Sequence, residues 1–220
     1  MKSIIKRIVT NILSVLPSPQ HPTLAYPGLH LGWRIGWMRG WFYRPLWKWR
    51  AMRGGTRVQF GKRFSLQGKL LFNGPGTVIF GDDVVVDAVT TPFTHSSSAV
   101  IRIGSRSFVN GTRFGCAKEI TIGEGAILAD CRLMDTDFHA VHKRRNAIGM
   151  GPDEAPIHIG RNVWISAGSA VLKGVTIGDD VVIGFGSVVV KSISAGKIAA
   201  GNPAREIADV PEGPSGVPTP

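Results

Sequence analysis

The stretch IGRNVW ISAGSA VLKGVT IGDDVV IGFGSV VVKSIS, residues 159–194, decides the fold. It divides into sixes, each opened by an aliphatic residue (Ile159, Ile165, Val171, Ile177, Ile183, Val189). The fifth place holds a small or aliphatic residue (Val163, Ser169, Val175, Val181, Ser187, Ile193). Neither a 3.6-residue helical period nor a two-residue alternation gives this spacing, whereas one short strand and one turn every six residues does. The opening aliphatic then faces inward, and glycine near the turns permits tight bends. The same beat runs upstream at Phe60, Leu66, Phe72 and Val78, then out of phase at Phe80 and Val86, at Ile103 and Val109, and at Ile122, Leu128 and Met134. Each slip of phase marks a short insertion or turn. Units this small cannot bury their apolar face alone, so the coils must stack around one core. A sandwich of ordinary strands would show true alternation and turn signals every ~8–12 residues.

The beat stops at Met134 and resumes at about Ile157, leaving DTDFHAVHKRRNAIGMGPDEAP as an insertion. A long polar segment extruded from a regular scaffold is a candidate functional loop, free of the demands of core packing. It holds His139 and His142, and neutral imidazole suits a base that accepts a hydroxyl proton near pH 7. Asp135 and Asp137 could orient that imidazole, or stand merely solvated as two acids in a polar loop. The run Lys143-Arg144-Arg145 reads equally as a site for anionic groups or as a solvated loop face.

The segment VWISAGSAVLKGVTIGDDVVIGFGSVVVKSISAGKIAAGNPAREI resembles the C-terminal coils of hexapeptide-repeat acyltransferases, particularly the galactoside, maltose and exopolysaccharide O-acetyltransferase branch. The likeness covers about residues 56–207 as repeat and is specific from Asp135 to Ile207. It implies an all-β solenoid, a left-handed parallel β-helix with three hexads per coil, assembled as a homotrimer with acetyl-CoA between neighbouring subunits. It also implies O-acetyl transfer to a sugar hydroxyl, such as a polysaccharide or lipid-linked glycan precursor, with no metal. By position in the branch's His-x-x-His context, His139 takes the general-base role, with His142 its rival or a substrate contact beside Asp135 and Asp137. The backbone N–H of Ala167 becomes the oxyanion donor. Lys191 and Arg205 match positions that contact CoA phosphates, the backbone around Gly184-Phe185-Gly186 matches the strip along the pantetheine arm, and Trp164 lines the same tunnel. The sequence departs from the branch at Ser166 (usually glycine), Lys173 (usually proline) and Phe185 (usually alanine). A Phe185 ring turned toward the cofactor groove would narrow it. Two alternatives stay open: a zinc enzyme of the γ-carbonic anhydrase type, for which His95, His139, His142 and His158 supply imidazoles, and a non-catalytic scaffold.

Charge separates the chain into unlike parts. Of 220 residues, 26 are Lys or Arg and 15 Asp or Glu, a formal net charge of +11, and the first acid is Asp82. Hydrophobic residues make up 43% of the chain, enough for a sizeable core, which excludes wholesale disorder. Within residues 3–16 the apolar positions Ile4, Ile5, Ile8, Ile12, Leu13 and Leu16 fall on one helical face. Further on, Gly28, Gly32, Gly36 and Gly40 recur every fourth residue, with Trp33, Trp37 and Trp41 one step later. Four glycines weaken an isolated helix by ~1 kcal/mol each, so close packing or lipid contact must compensate. Tryptophan among arginines suits a membrane–water interface, and the aromatics equally suit a cap on the end of the β-helix. Both are expected together, on an anionic membrane surface, and no nucleic-acid motif is present. Three parts follow: a basic arm over 1–53, the β-helix over 54–207 with its active-site loop at 135–156, and a disordered tail over 208–220. Two cysteines are too few for a disulfide framework, and no signal peptide or spanning run is evident. The expected location is cytoplasmic, peripheral on the inner face of the membrane.

Overall fold

A computed structural model describes residues 27–53 and 55–213. The helix expected over residues 3–16 and the end of the expected tail, from residue 214, lie outside the described residues. Every hexad opener from Ile159 to Val189 is turned inward and buried, as are the fifth-place residues from Val163 to Ile193. Stacked coil upon coil, these side chains form one continuous core from Trp47 to Ala204.

The result is a left-handed parallel β-helix of about seven turns, three-sided in section. The first face carries β1 (Arg57–Phe60), β4 (Thr77–Phe80), β7 (Val100–Ile103), β10 (Glu119–Ile122), β13 (Ile157–Ile159) and β16 (Thr176–Ile177). The second carries β2 (Ser65–Leu66), β5 (Val85–Asp87), β8 (Phe108–Asn110), β11 (Ile127–Ala129), β14 (Trp164–Ile165) and β17 (Val182–Ile183), then β19 (Lys197–Gly201) and β20 (Ala204–Asp209). The third carries β3 (Lys69–Leu70), β6 (Val89–Thr94), β9 (Arg113–Cys116), β12 (Arg132–Met134), β15 (Ala170–Leu172) and β18 (Val188–Val189). All ladder pairs are parallel except the last, where β20 turns back antiparallel on β19.

The corners explain the slips in the sequence beat. Between the first and second faces each coil turns through a left-handed residue in the same place (Arg63, Asp83, Arg106, Gly125, Asn162, Asp180). Between the second and third faces the corner changes length. Val109 is followed inward by Phe114 and Leu128 by Leu133, whereas Ile165 is followed by Val171 and Ile183 by Val189. The corners after the loop therefore hold one residue more. Met134, expected inward, is displaced by Leu133 for this reason and turns outward.

A helix, α1 (Pro27–Met52), lies across the first coil. Its glycines permit direct contact: a Cβ on Gly36 would stand 2.3 Å from Ser65 Oγ, and one on Gly40 would stand 2.7 Å from the Phe64 carbonyl oxygen. Arg39 donates to the carbonyls of Gln67 and Gly68, Arg44 donates to that of Gly61, and Ser65 Oγ donates to the Trp33 carbonyl. Trp33 is fully buried with Val85, and Trp47 stacks on Phe60 at 4.9 Å and meets Phe72 edge-on. Trp47 thus closes the end of the core, and removing such an indole costs about 3–5 kcal/mol. The opposite side of the helix leaves Ile35, Met38, Trp41, Phe42, Leu46 and Trp49 exposed. Among the described residues no helix is long and apolar enough to cross a membrane.

Candidate active site

The loop leaves the prism at the edge between the third and first faces, and its two ends are tied together. Thr136 pairs antiparallel with Glu154, Ala155 N–H donates to the Asp135 carbonyl, and Asp137 N–H donates to that of Asp153. Two lysines secure this neck. Lys173 Nζ lies 2.8 Å from Asp137 Oδ2, and Lys118 Nζ donates to the Glu154 carbonyl at 3.1 Å. Asp137, first its hydrogen bond and then its charge, raises the Lys173 pKa. Lys173 is one of the residues that departs from the resembled pattern, and a proline there could not make this contact.

Asp135 is fully buried. Its Oδ1 accepts from Ala117 N–H at 2.6 Å, and its Oδ2 accepts from Lys118 N–H at 2.8 Å and from the Cys116 thiol. The buried carboxylate thus holds the turn between β9 and β10. Desolvation, with Asp135 beside it, drives the Cys116 thiol up, and burial pushes Cys131 up to about 12, so both are packing residues and not nucleophiles. Asp137 is taken by Lys173. His139 stands exposed just beyond the neck, with no hydrogen-bond partner for its ring among the described residues. His142 sits farther out, where its Nδ1 accepts from Arg144 N–H in an exposed turn.

Ala167 lies on the edge between the second and third faces. Its neighbours are engaged, since Ser166 N–H donates to the Ile183 carbonyl and Gly168 N–H donates to that of Asp130. The Ala167 carbonyl accepts from Gly186 N–H, but its own N–H has no acceptor among the described residues. Ala167 occupies the longer corner. One coil on, Phe185 occupies the same place with its ring 80% exposed. The ring tip reaches back to 3.8 Å from where a Cβ on Gly168 would stand, so it lies over the corner that carries the free amide.

Trp164 is half exposed on the outer side of the second face, in register with Ile127 and Val182. Gly184 N–H donates to the Ala199 carbonyl, and its own carbonyl accepts from Ser169 and Ser187 hydroxyls. Lys191 is exposed just after β18 and has no partner among the described residues, while Arg205 on β20 donates to the Ala204 carbonyl. Ala167, Gly184 and Phe185 therefore share one edge of the prism, and the His139 loop leaves from another. Ala167 and Lys173 are separated by at most about 20 Å of extended chain, the width of the third face. A single chain does not bring the imidazole and the amide to one edge. His158 is held by Thr121 at 2.7 Å on the first face, and no group of three or more metal ligands gathers among the described residues.

Comparison with known proteins agrees with this architecture. Residues 156–191 match the family model of the bacterial transferase hexapeptide (six repeats). The chain is 33% identical over 136 residues to nodulation protein L of Rhizobium meliloti (strain 1021), covering 60% of this chain and 67% of that one. It is 40% identical over 91 residues to galactoside O-acetyltransferase of Escherichia coli (strain K12), covering 41% and 44%. Across the first curated relatives it matches, the chain spans 44% to 62% of their length. A solved structure of a galactoside acetyltransferase in complex with coenzyme A superposes with a TM-score of 0.50 at 27% identity, covering 71% of this chain and 65% of that one.

Proposed function

The chain belongs to the hexapeptide-repeat acyltransferases, and on that premise we propose that it transfers an acetyl group from acetyl-CoA to a hydroxyl of a sugar. The observation that carries this reading is the Ala167 amide: it sits at the longer corner beneath the Phe185 ring, the N–H groups on either side of it are bonded to the stack, and its own has no acceptor among the described residues. A thioester carbonyl turned toward it would receive a hydrogen bond as negative charge develops on the oxygen, the preorganised stabilisation that acyl transfer requires. His139 accepts the acceptor's hydroxyl proton as the new C–O bond forms, and the proton passes to the sulfur as the C–S bond breaks. Lys191 and Arg205 are the cations for the CoA phosphates, and Trp164 and the Gly184–Phe185 backbone flank the pantetheine arm. Since His139 and Ala167 leave from different edges, the complete site forms between two subunits of a homotrimer.

In His139→Ala, acetyl transfer is lost while acetyl-CoA binding, measured by calorimetry, persists. Undiminished transfer in this variant would move the base elsewhere, first to His142.

A second reading concerns place. The exposed apolar side of α1 (Ile35, Met38, Trp41, Phe42, Leu46, Trp49) is bordered by Lys48, Arg50 and Arg53, and the Arg53 guanidinium lies 4.3 Å over the Trp49 ring. With no acid before Asp82, this side suits an anionic lipid surface, tryptophan at headgroup depth and arginine against phosphate. Deleting the arm is a poor test, because Trp47 closes the core. The full chain bearing Trp41→Ser, Phe42→Ser and Trp49→Ser is the better one: it should stay folded and no longer pellet with phosphatidylglycerol vesicles, and unchanged pelleting would refute the reading.

A further inference from the structure

Four arginines of the solenoid meet an acid on the following coil: Arg63 with Asp83, Arg102 with Glu119, Arg106 with Glu124 and Arg161 with Asp179. The third face breaks this pattern. Arg113 on β9 is in direct register with Arg132 on β12, both are exposed, and neither has an acid partner among the described residues. Like charges placed opposite one another across a ladder are destabilising, so nothing in the packing of this face favours the pair. Two guanidiniums side by side are, however, a fitting receptor for a carboxylate or phosphate, whose oxygens they can bind in forked pairs.

Beside them lies a hollow of about 200 Å³ lined by Phe93, His95, Arg113, Phe114, Gly115 and Phe138. Its upper wall is Phe138, the residue immediately before His139, held at φ 60°, a conformation costly for a bulky side chain. The ring is seated on Gly115, where a Cβ would stand 2.4 Å from it, and it meets His95 edge-on at 4.9 Å. The Arg113 guanidinium in turn lies 5.8 Å from the centre of the Phe93 ring. The hollow therefore offers two aromatic walls, one ring nitrogen pair and a cationic flank, and its Phe138 wall immediately precedes His139 in the chain.

We propose that this hollow reads the acceptor as an acidic sugar, one ring packed between Phe93 and Phe138 and its carboxylate or phosphate held by Arg113 and Arg132. This deepens the acetyl-transfer reading and rests on it for the role of the bound sugar. Aromatic walls receive the C–H face of a pyranose, His95 is placed for a hydroxyl, and the paired arginines discriminate against neutral glycans.

The test uses the purified full-length protein without acetyl donor, titrated with methyl glucuronide, glucose 1-phosphate and methyl glucoside by ligand-observed NMR. At least one charged sugar should bind about tenfold or more tightly than the glucoside. Which of them does so tells carboxylate from phosphate recognition. In the Arg113→Gln/Arg132→Gln variant that advantage disappears, and retained acetyl-CoA affinity reports an intact fold. Equal binding of all three sugars, or a preference that survives in the variant, overturns the proposal. Failure of the wild-type protein to bind acetyl-CoA in a parallel titration would instead remove the transfer reading, leaving the sugar result to stand or fall on its own.

Discussion

Replacing glycine by alanine inside a helix stabilises it by about 1 kcal/mol when nothing else is touched. In α1 the structure reverses that sign at two of three positions. At Gly32 the nearest atom to an added Cβ is Gln67 Oε1 at 3.4 Å, the far end of a flexible side chain. Gly32→Ala should therefore gain up to about 1 kcal/mol. At Gly36 the new methyl would stand 2.3 Å from Ser65 Oγ, an atom fixed by its bond to the Trp33 carbonyl, and 3.0 Å from the Leu66 carbonyl carbon. At Gly40 it would stand 2.7 Å from the Phe64 carbonyl oxygen. Relieving either overlap means lifting the helix off the first coil by more than half an ångström, which loosens Trp33 and the Trp47 cap. Overpacking of this kind costs about 1–3 kcal/mol per site, which exceeds the gain in propensity. The Gly36→Ala/Gly40→Ala double variant should lose about 2 kcal/mol net. Urea unfolding at fixed protein concentration, followed by tryptophan fluorescence, reads both signs. If all three alanines stabilise alike, the helix does not rest on the coil through its glycines, and the capping argument fails.

Three further outcomes follow from the site and the corners. Phe185→Ala uncovers the Ala167–Gly168 corner and should tighten acetyl-CoA binding severalfold in calorimetry, and unchanged affinity would mean that the ring does not overhang the cofactor's path. Lys173→Ala frees the loop neck and should lower kcat about tenfold through misplacement of His139 while leaving acetyl-CoA affinity as it was, since misplacement by ~1 Å suffices for such losses. Equal kcat would show that the latch does not position the base. Asp179 is bonded by the Arg161 backbone N–H and guanidinium, which lower its pKa. Its contribution to stability is therefore full above the ordinary carboxylate value of ~4 and fades as pH falls through the lowered one. The difference in unfolding free energy between wild type and Asp179→Asn should shrink over that interval, and a pH-independent difference would refute the assignment.

The solenoid was readable in the chain because burial on a six-residue beat leaves its mark on every coil, from Ile159 through Val189. Met134 shows the limit of that reading, since corner length depends on backbone turns that carry no fixed residue type. Within the loop, two histidines and two aspartates stood out by chemistry alone. The structure separates them: Asp135 ties a turn, Asp137 a lysine, and only the imidazoles are left to solvent. The Lys173 latch was visible as an oddity at one position, yet its partner lies far off in sequence and no local pattern joins them. Arg113 and Arg132 were likewise unremarkable until register placed them side by side, because coil-to-coil neighbours emerge only once every corner has been counted. The glycine and tryptophan stripes of α1 were legible as a surface demanding a partner, and that partner proves to be the first coil on one side.

The closed neck of the loop has a bearing on how such a protein diversifies. Because Asp135 to Asp137 are zipped to Asp153 to Ala155 and fastened to the coils by Lys118 and Lys173, the scaffold meets the intervening residues through that short junction, the Phe138 ring and the buried Ala140, and the residues beyond are exposed. Residues 141–151 can lengthen, shorten or change in composition with little energetic consequence for the stack beneath. On the acetyl-transfer reading, the neck makes the loop an exchangeable cassette, through which new acceptors can be tried by natural variation or by grafting while the proposed acyl-donor side of the molecule remains as it is.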